Sequence, residues 1–303
     1  MLSQENKLRL ACVTLLAGVY AAGFYQGAPT LAPSQPAAAP TSPGRALLMS
    51  VMSAFSPPEA PPRLIAHAGG MFEGKVYTNS IAALDHSYAA GYRLLEVDLN
   101  LTTDNHVVLL HDWQGTVENV YGLPWGQRDL QTFLNETATS QHRVAQLQDL
   151  ADWAMAHPSA RIMLDTKADT VGIAETVARR YPELKAQFVP LIYYLEQYEE
   201  VSRLGFSNIS LLTQTDQYTP ETILDFARKH PLYSISMQPE TLNDQLAALP
   251  RYARIYVWTI NDMPTQSRLL DQQAYGVVTD VLRPPAVPEP APWVGSLPLL
   301  SKL

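Results

Sequence analysis

His67, Glu96, Asp98, His111 and Asp165 are the residues of this chain whose types and spacing suit chemistry. His67 and His111 close the apolar runs RLIAH and HVVLLH, and no other of the seven histidines ends such a run. Glu96 and Asp98 lie two apart in RLLEVD. On a strand both point to one face, with Leu95 and Val97 on the other. Two carboxylates aimed into one interior repel each other unless protons or a metal intervene. Asp165, in RIMLDT, completes three oxygen ligands. A hard divalent ion, Mg²⁺ or Ca²⁺, suits an all-carboxylate set better than zinc does. Histidine titrates near neutrality, so one imidazole of a pair takes a proton while the other gives one. The competing reading pairs these acids with Lys167, Arg93 or Arg161 in ordinary salt bridges and makes each histidine a hydrogen-bonded core residue. His86, His106, His142, His157 and His230 fall in helices, loops or strand starts and read as surface or structural.

Such groups need strands that end together. Short β-branched runs alternate with longer helical patterns between residues 63 and 283, which predicts a parallel sheet covered by helices. The strands read as 63–67, 93–98, 106–111, 161–166, 187–193, 208–213, 232–236, 254–260 and 276–280. Helices read as 79–91, 145–157, 170–181, 195–204, 219–230 and 263–273, with Asn79 and Asp169 or Thr170 as N-caps and Gly91 and Gly205 as stops. The architecture expected is a single-domain α/β TIM-type (β/α)₈ barrel, in which reactive groups sit at the C-terminal ends of strands. Nine strand candidates compete for eight places, with 232–236 the weakest. Too few residues separate the second and third candidates for a crossover helix, so an extended return is expected there.

Length and charge bound the rest. A chain of 303 residues, 47% hydrophobic, supports one large core. A net charge of −8 with no basic cluster beyond Arg179-Arg180 argues against nucleic acid as a partner. The only cysteine is Cys12, which excludes an internal disulfide. Lys7 and Arg9 precede sixteen charge-free, mostly apolar residues, Leu10 to Tyr25. That is the layout of a signal peptide or membrane anchor over residues 1–25, and it predicts an exported protein that is periplasmic, envelope-associated or secreted. As a helix the run spans roughly 24 Å, short of the roughly 30 Å hydrocarbon core. Residues 26–62 are rich in Pro, Ala and Ser and read as a linker, and 284–303 as a Pro-rich tail.

The segment Arg63 to Trp113, RLIAHAGGMFEGKVYTNSIAALDHSYAAGYRLLEVDLNLTTDNHVVLLHDW, resembles the opening of glycerophosphodiester phosphodiesterases and their phosphatidylinositol phospholipase C-like relatives. That family shows His-Arg-Gly, Glu-Asn-Thr, Glu-x-Asp, Thr-x-Asp-Gly and His-Asp in this order. Leu164-Asp165-Thr166-Lys167 sits where the family has Glu-x-Lys, Val257 to Asn261 resembles its Trp-Thr-x-Asn, and Gly276 to Asp280 its closing strand. The resemblance implies a TIM barrel, His67 and His111 as acid/base pair, and Glu96, Asp98 and Asp165 as metal ligands. Two departures stand out: Ala68 replaces the arginine after the first histidine, and Thr78 replaces the glutamate of Glu-Asn-Thr.

Metal-dependent hydrolysis of a glycerophosphodiester or related phospholipid headgroup ester is the expected function. Lys167, Asn79, Trp258 and Gly69 are the expected substrate contacts, and Trp113, Tyr121 and Trp125 an aromatic wall for the headgroup. Trp258 and the Asp165–Lys167 pair also resemble the sphingomyelinase D branch of the superfamily, which can leave a cyclic phosphate. The two missing family residues keep a third reading open, a catalytically silent barrel that binds envelope phospholipid. Membrane association, if any, is expected through the N-terminal segment.

Overall fold

The computed structural model describes residues 62–214 and 217–285. The expected signal or anchor, nearly all of the linker, and the tail from residue 286 lie outside the described residues. Among the described residues no helix is long and apolar enough to cross a membrane.

Eight parallel strands close into a barrel: β1 (Leu64–Ala66), β2 (Leu94–Leu101), β4 (Arg161–Thr166), β5 (Phe188–Ile192), β6 (Ser210–Leu212), β7 (Ser234–Met237), β8 (Arg254–Val257) and β9 (Gly276–Thr279). Pairing of β1 with β9 on one side and with β2 on the other completes the ring. The surplus strand is β3 (Val107–Leu109), which runs antiparallel to the far half of β2. This corrects the ranking that made 232–236 weakest: that run supplies β7, paired in parallel on both sides. The extended return expected between the second and third candidates is this β2–β3 hairpin.

Each strand keeps one face for the lumen and one for the helical coat. Ile65, Leu94, Met163, Val189, Leu191, Tyr256 and Val278 fill the lumen. A larger cluster, with Leu95, Val97, Ile162, Leu164, Ile235 and Val277, packs under the helices. These helices are α1 (Ile81–Ala89), α4 (Leu147–Ala156), α5 (Thr170–Arg180), α6 (Gln197–Arg203), α7 (Pro220–Lys229) and α8 (Met263–Asp271). The N-cap of α1 is Ser80, one residue beyond the expected Asn79, and Asp169 caps α5 through the Gly172 N–H. Gly91 and Gly205 follow their helices at φ +101° and +88°, left-handed values that glycine adopts without steric cost.

Between residues 113 and 145, where neither strand nor helix was expected, lie two more helices, α2 (Gly115–Tyr121) and α3 (Leu130–Thr137). It has its own small core of Val108, Leu110, Trp113, Val117, Phe133 and Val144. Its Trp113 indole N–H donates to the Leu101 carbonyl at 3.0 Å and so ties the insertion to the end of β2.

Candidate active site

Lumen-facing positions at the C-terminal ends of β1, β2 and β4 deliver His67, Glu96, Asp98 and Asp165 to one mouth. Glu96, Asp98 and Asp165 are buried, and each offers an oxygen within 4.8 Å of the others'. His111 arrives by another route. Because β3 is antiparallel, its chain runs back toward the mouth, and Leu110 donates its N–H to the Asp98 carbonyl at 3.0 Å. The next residue is His111, whose carbonyl accepts from the Asn100 amide at 3.2 Å.

Each histidine is held through Nδ1 by its own carboxylate. His67 Nδ1 lies 2.8 Å from Asp280 Oδ1, and the Asn261 amide donates to Asp280 Oδ2 at 2.7 Å. His111 Nδ1 lies 2.8 Å from Asp112 Oδ2. Asp112 is itself fixed at the start of α2, where its Oδ1 accepts the Gln114 N–H at 2.8 Å. A carboxylate on Nδ1 places the Nδ1–H tautomer there and leaves Nε2 for chemistry. The Tyr77 ring stands edge-on between the two imidazoles, with centroids 4.7 Å from His67 and 5.0 Å from His111.

The electrostatics follow from crowding three acids in a buried space. Burial and the Asp98 charge push the Glu96 carboxyl well above the usual carboxylate range. Burial pushes Asp98 up too, but Lys167, both histidines and the Asn79 amide outweigh it and hold Asp98 below its ordinary value. Burial alone pulls the His67 imidazole down, yet the Asp280 hydrogen bond and the charges of Glu96 and Asp98 raise it to about 9. Asp112 is held down at about 2, hydrogen bonds from His111 and Thr116 overcoming the effect of burial.

A divalent cation fits this donor set. Among the described residues, Glu96 Oε1 is buried without a hydrogen-bond partner, and its Oε2 takes the Ala68 N–H, at 2.6 Å. Asp98 Oδ1 likewise makes no hydrogen bond, its nearest cation being Lys167 Nζ at 3.2 Å. An orphaned buried carboxylate oxygen is costly unless a cation meets it. Three carboxylates and one ammonium leave a charge of −2, which one divalent ion neutralises.

The supporting residues divide. Lys167 Nζ donates to Asp165 Oδ2 at 2.7 Å and to the Tyr193 hydroxyl at 3.3 Å, besides its contact with Asp98. Two of its three donors are thus engaged in hydrogen bonds to protein groups, and the third is not. The expected salt bridge to Lys167 thus exists for Asp98 and Asp165, while Arg93 and Arg161 stand at the opposite ends of their strands. Asn79 is buried and turned to Asp98, not to the open mouth: its amide donates to Asp98 Oδ2 at 2.8 Å and its oxygen accepts the Asp98 N–H at 2.8 Å. Gly69 lies in the turn that follows His67, and a Cβ there would lie 3.2 Å from that of Ala83 on α1. Trp258 is half-buried above the lumen, and its indole N–H has no partner among the described residues. Two of the three residues expected to form an aromatic wall are taken up in packing. Trp113 and Tyr121 pack on Phe133 inside the insertion, and only Trp125, 66% exposed, faces solvent.

Tyr77 and Tyr193 join the site without having been singled out in the sequence. Asp112, Asn261 and Asp280 also join it; they fell within the His-Asp, Trp-Thr-x-Asn and closing-strand motifs but had been given no role. Ala68 and Thr78 take up new roles: the Ala68 N–H holds Glu96, and the Thr78 hydroxyl lies 3.3 Å from that of Ser80. Ala68, Tyr77 and Asn79 adopt φ of +48°, +59° and +49°, so the loop from β1 to α1 concentrates left-handed, strained backbone beside the acids.

A sequence profile of the Glycerophosphoryl diester phosphodiesterase family matches residues 69–166, the span that holds Glu96, Asp98, His111 and Asp165. Over that span the chain is similar to this family. Its members are phosphoric diester hydrolases, and the barrel agrees with theirs. Lysophospholipase D GDPD1 of Homo sapiens is 22% identical over 264 residues, covering 71% of this chain and 82% of the human protein. A glycerophosphodiester phosphodiesterase of Thermotoga maritima superposes with a TM-score of 0.57 at 19% identity, over 73% of this chain and 96% of that one. An Oleispira antarctica phosphodiesterase, solved with its product sn-glycerol-3-phosphate, superposes with a TM-score of 0.56 at 16% identity, over 72% and 93%.

Proposed function

We propose that this chain is a divalent-cation-dependent phosphodiesterase that hydrolyses glycerophosphodiesters or related phospholipid headgroup esters, with His67 and His111 as the acid/base pair. The observation that carries this reading is a cluster of three carboxylates flanked by two imidazoles, each pinned through Nδ1 to its own aspartate. Glu96, Asp98 and Asp165 would hold Mg²⁺ or Ca²⁺, which when bound polarises a phosphoryl oxygen and offsets its charge. One imidazole takes a proton from the attacking water as its oxygen bonds to phosphorus. The other gives its proton to the departing alkoxide as the second P–O bond breaks. Asp280 and Asp112 hold both rings in the tautomer this exchange needs. The free Trp258 N–H supports a role in binding a substrate oxygen. Lysophospholipase D relatives bring headgroup esters of single-chain lipids into the substrate class. Residues 1–25, with their basic flank and apolar run, support export to the periplasm, envelope or medium, with or without retention as an anchor.

The test is turnover of glycerophosphocholine and lysophospholipids by purified protein, with products identified by phosphorus NMR. Chelator abolishes release of the alcohol, and Mg²⁺ or Ca²⁺ restores it. His67→Ala and His111→Ala each lower kcat/KM by roughly a hundredfold or more. Full activity in excess chelator sinks the metal assignment, and near-native rates for both variants sink the acid/base pair. A cyclic phosphate product in place of a monoester would move the reaction to transesterification.

A further inference from the structure

The lumen has a second end, and its chemistry is the reverse of the first. Arg63, Arg161 and Arg254 stand four residues before His67, Asp165 and Trp258 on β1, β4 and β8. Side chains alternate along a strand, so a spacing of four keeps the same face, and it separates the two groups by about 13 Å. Three strands that bring reactive groups to one mouth thus bring three guanidinium groups to the other.

These cations converge. Arg161 and Arg254 lie 5.7 and 5.5 Å from the centre of the Tyr233 ring, and Arg63 and Arg254 both lie 5.7 Å from that of Tyr275. Sharing rings in this way makes the three guanidinium groups neighbours. Among the described residues none of them has a carboxylate within salt-bridge distance, although the chain as a whole carries a charge of −8. Arg161 and Arg254 each spend one N–H on a backbone carbonyl, of Ala186 at 3.3 Å and Tyr233 at 3.1 Å. The rest of each planar fork remains for another acceptor.

The Tyr233 hydroxyl supplies the second observation. Tyr233 is only 9% exposed and packs in the lumen cluster, and among the described residues its hydroxyl has no hydrogen-bond partner. Arg161 and Arg254 are close enough to oppose the upward push of burial on that hydroxyl. The hydroxyl of its neighbour Tyr256, by contrast, donates to the Pro62 carbonyl at 2.6 Å. A buried, unpaired hydroxyl beside uncompensated guanidinium groups is a donor set without its acceptor.

We propose that this second pole binds an oxyanion of the phosphate class, free or as a lipid headgroup, through Arg63, Arg161, Arg254 and the Tyr233 hydroxyl. The catalytic mouth is not this site. With its ion removed, its surplus of carboxylates repels phosphate, whereas the guanidinium groups at the other pole attract it. Planar guanidinium forks match the paired oxygens of a phosphate group, and rim positions leave them accessible from solvent.

The experiment measures binding of inorganic phosphate to the full chain by calorimetry in excess chelator. Saturable binding at one site per chain is expected at millimolar phosphate or below. Tyr233→Phe, which removes one oxygen, weakens it about tenfold, and Arg161→Ala, a change at an exposed side chain, weakens it at least as much. Both variants keep diester turnover, so their failure to bind phosphate is separable from any failure of the catalytic reading. A second arm compares sedimentation of parent and variant chains with phosphatidylglycerol and phosphatidylcholine vesicles. Loss of binding in the variants with the anionic vesicles alone identifies a lipid source, and unchanged sedimentation beside lost phosphate binding identifies a soluble one. Absence of saturable phosphate binding together with variant-insensitive vesicle binding overturns the site, as does equal phosphate affinity in parent and both variants.

Discussion

His67 and Asp280 are 213 positions apart in sequence and 2.8 Å apart in space. Their contact fixes the ring and carries part of its charge stabilisation, so Asp280→Asn tests the pair without a large change of shape. We expect kcat to fall roughly 10- to 100-fold with KM little changed, read from steady-state kinetics; an unchanged kcat would leave Asp280 without a role in turnover. The proton on His67 makes a second prediction. In the metal-free protein its pKa is raised from 6.5 to about 9. A raised value stabilises the fold fully below the unfolded pKa, and that contribution disappears as pH rises through the folded one. The metal-free thermal midpoint should therefore decline between about pH 6.5 and 9, and His67→Gln should flatten the decline. Binding a divalent cation beside Glu96 and Asp98 offsets the charge that holds the proton, so the His67 pKa should drop on loading, which histidine NMR reads directly.

The β2–β3 hairpin is the element on which the second histidine depends. It pairs Leu99, Asn100 and Leu101 with Leu109, Val108 and Val107, and the insertion core keeps it there. Trp113 is the bolt of that core, 7% exposed, packed on Phe133 at 4.9 Å and hydrogen-bonded to Leu101. Trp113→Ala should lower unfolding free energy by about 3–5 kcal/mol, measured by urea denaturation, and should depress turnover by loosening His111. Stability loss with unaltered kcat in the folded fraction would free the histidine from the insertion. The hairpin was visible in sequence only as a spacing too short for a helix. An apolar run of β-branched residues looks the same whether it joins a barrel or lies on its rim, because alternation records a strand's faces and not its neighbours.

At the scale of the molecule, the barrel separates charge along its lumen, with acids at one mouth and arginines at the other. The acids cost stability when nothing meets them. Divalent metal should raise the thermal midpoint, since a ligand at a hundred times its Kd adds about 2.7 kcal/mol to a fold that alone binds it. Asp165→Asn should remove most of that increment in scanning calorimetry while leaving the metal-free midpoint no lower. A midpoint indifferent to Mg²⁺ and Ca²⁺ at saturating concentrations would argue against a site built from these three acids.

What the residues determined unaided was local and periodic: the nine strands and the six helices that coat the barrel, the shared face of Glu96 and Asp98, and the strand ends that His67, His111 and Asp165 occupy. Those follow from side-chain direction, which two or three neighbouring residues settle. Tertiary structure alone decided that β3 is the strand outside the ring, that Asn79 serves Asp98, that Asp280 and Asn261 stand behind His67, and that Arg161 and Arg254 meet over Tyr233. Each of those contacts joins segments brought together by closure of the barrel, and a chain read in one dimension holds no measure of which distant partner a polar group will find.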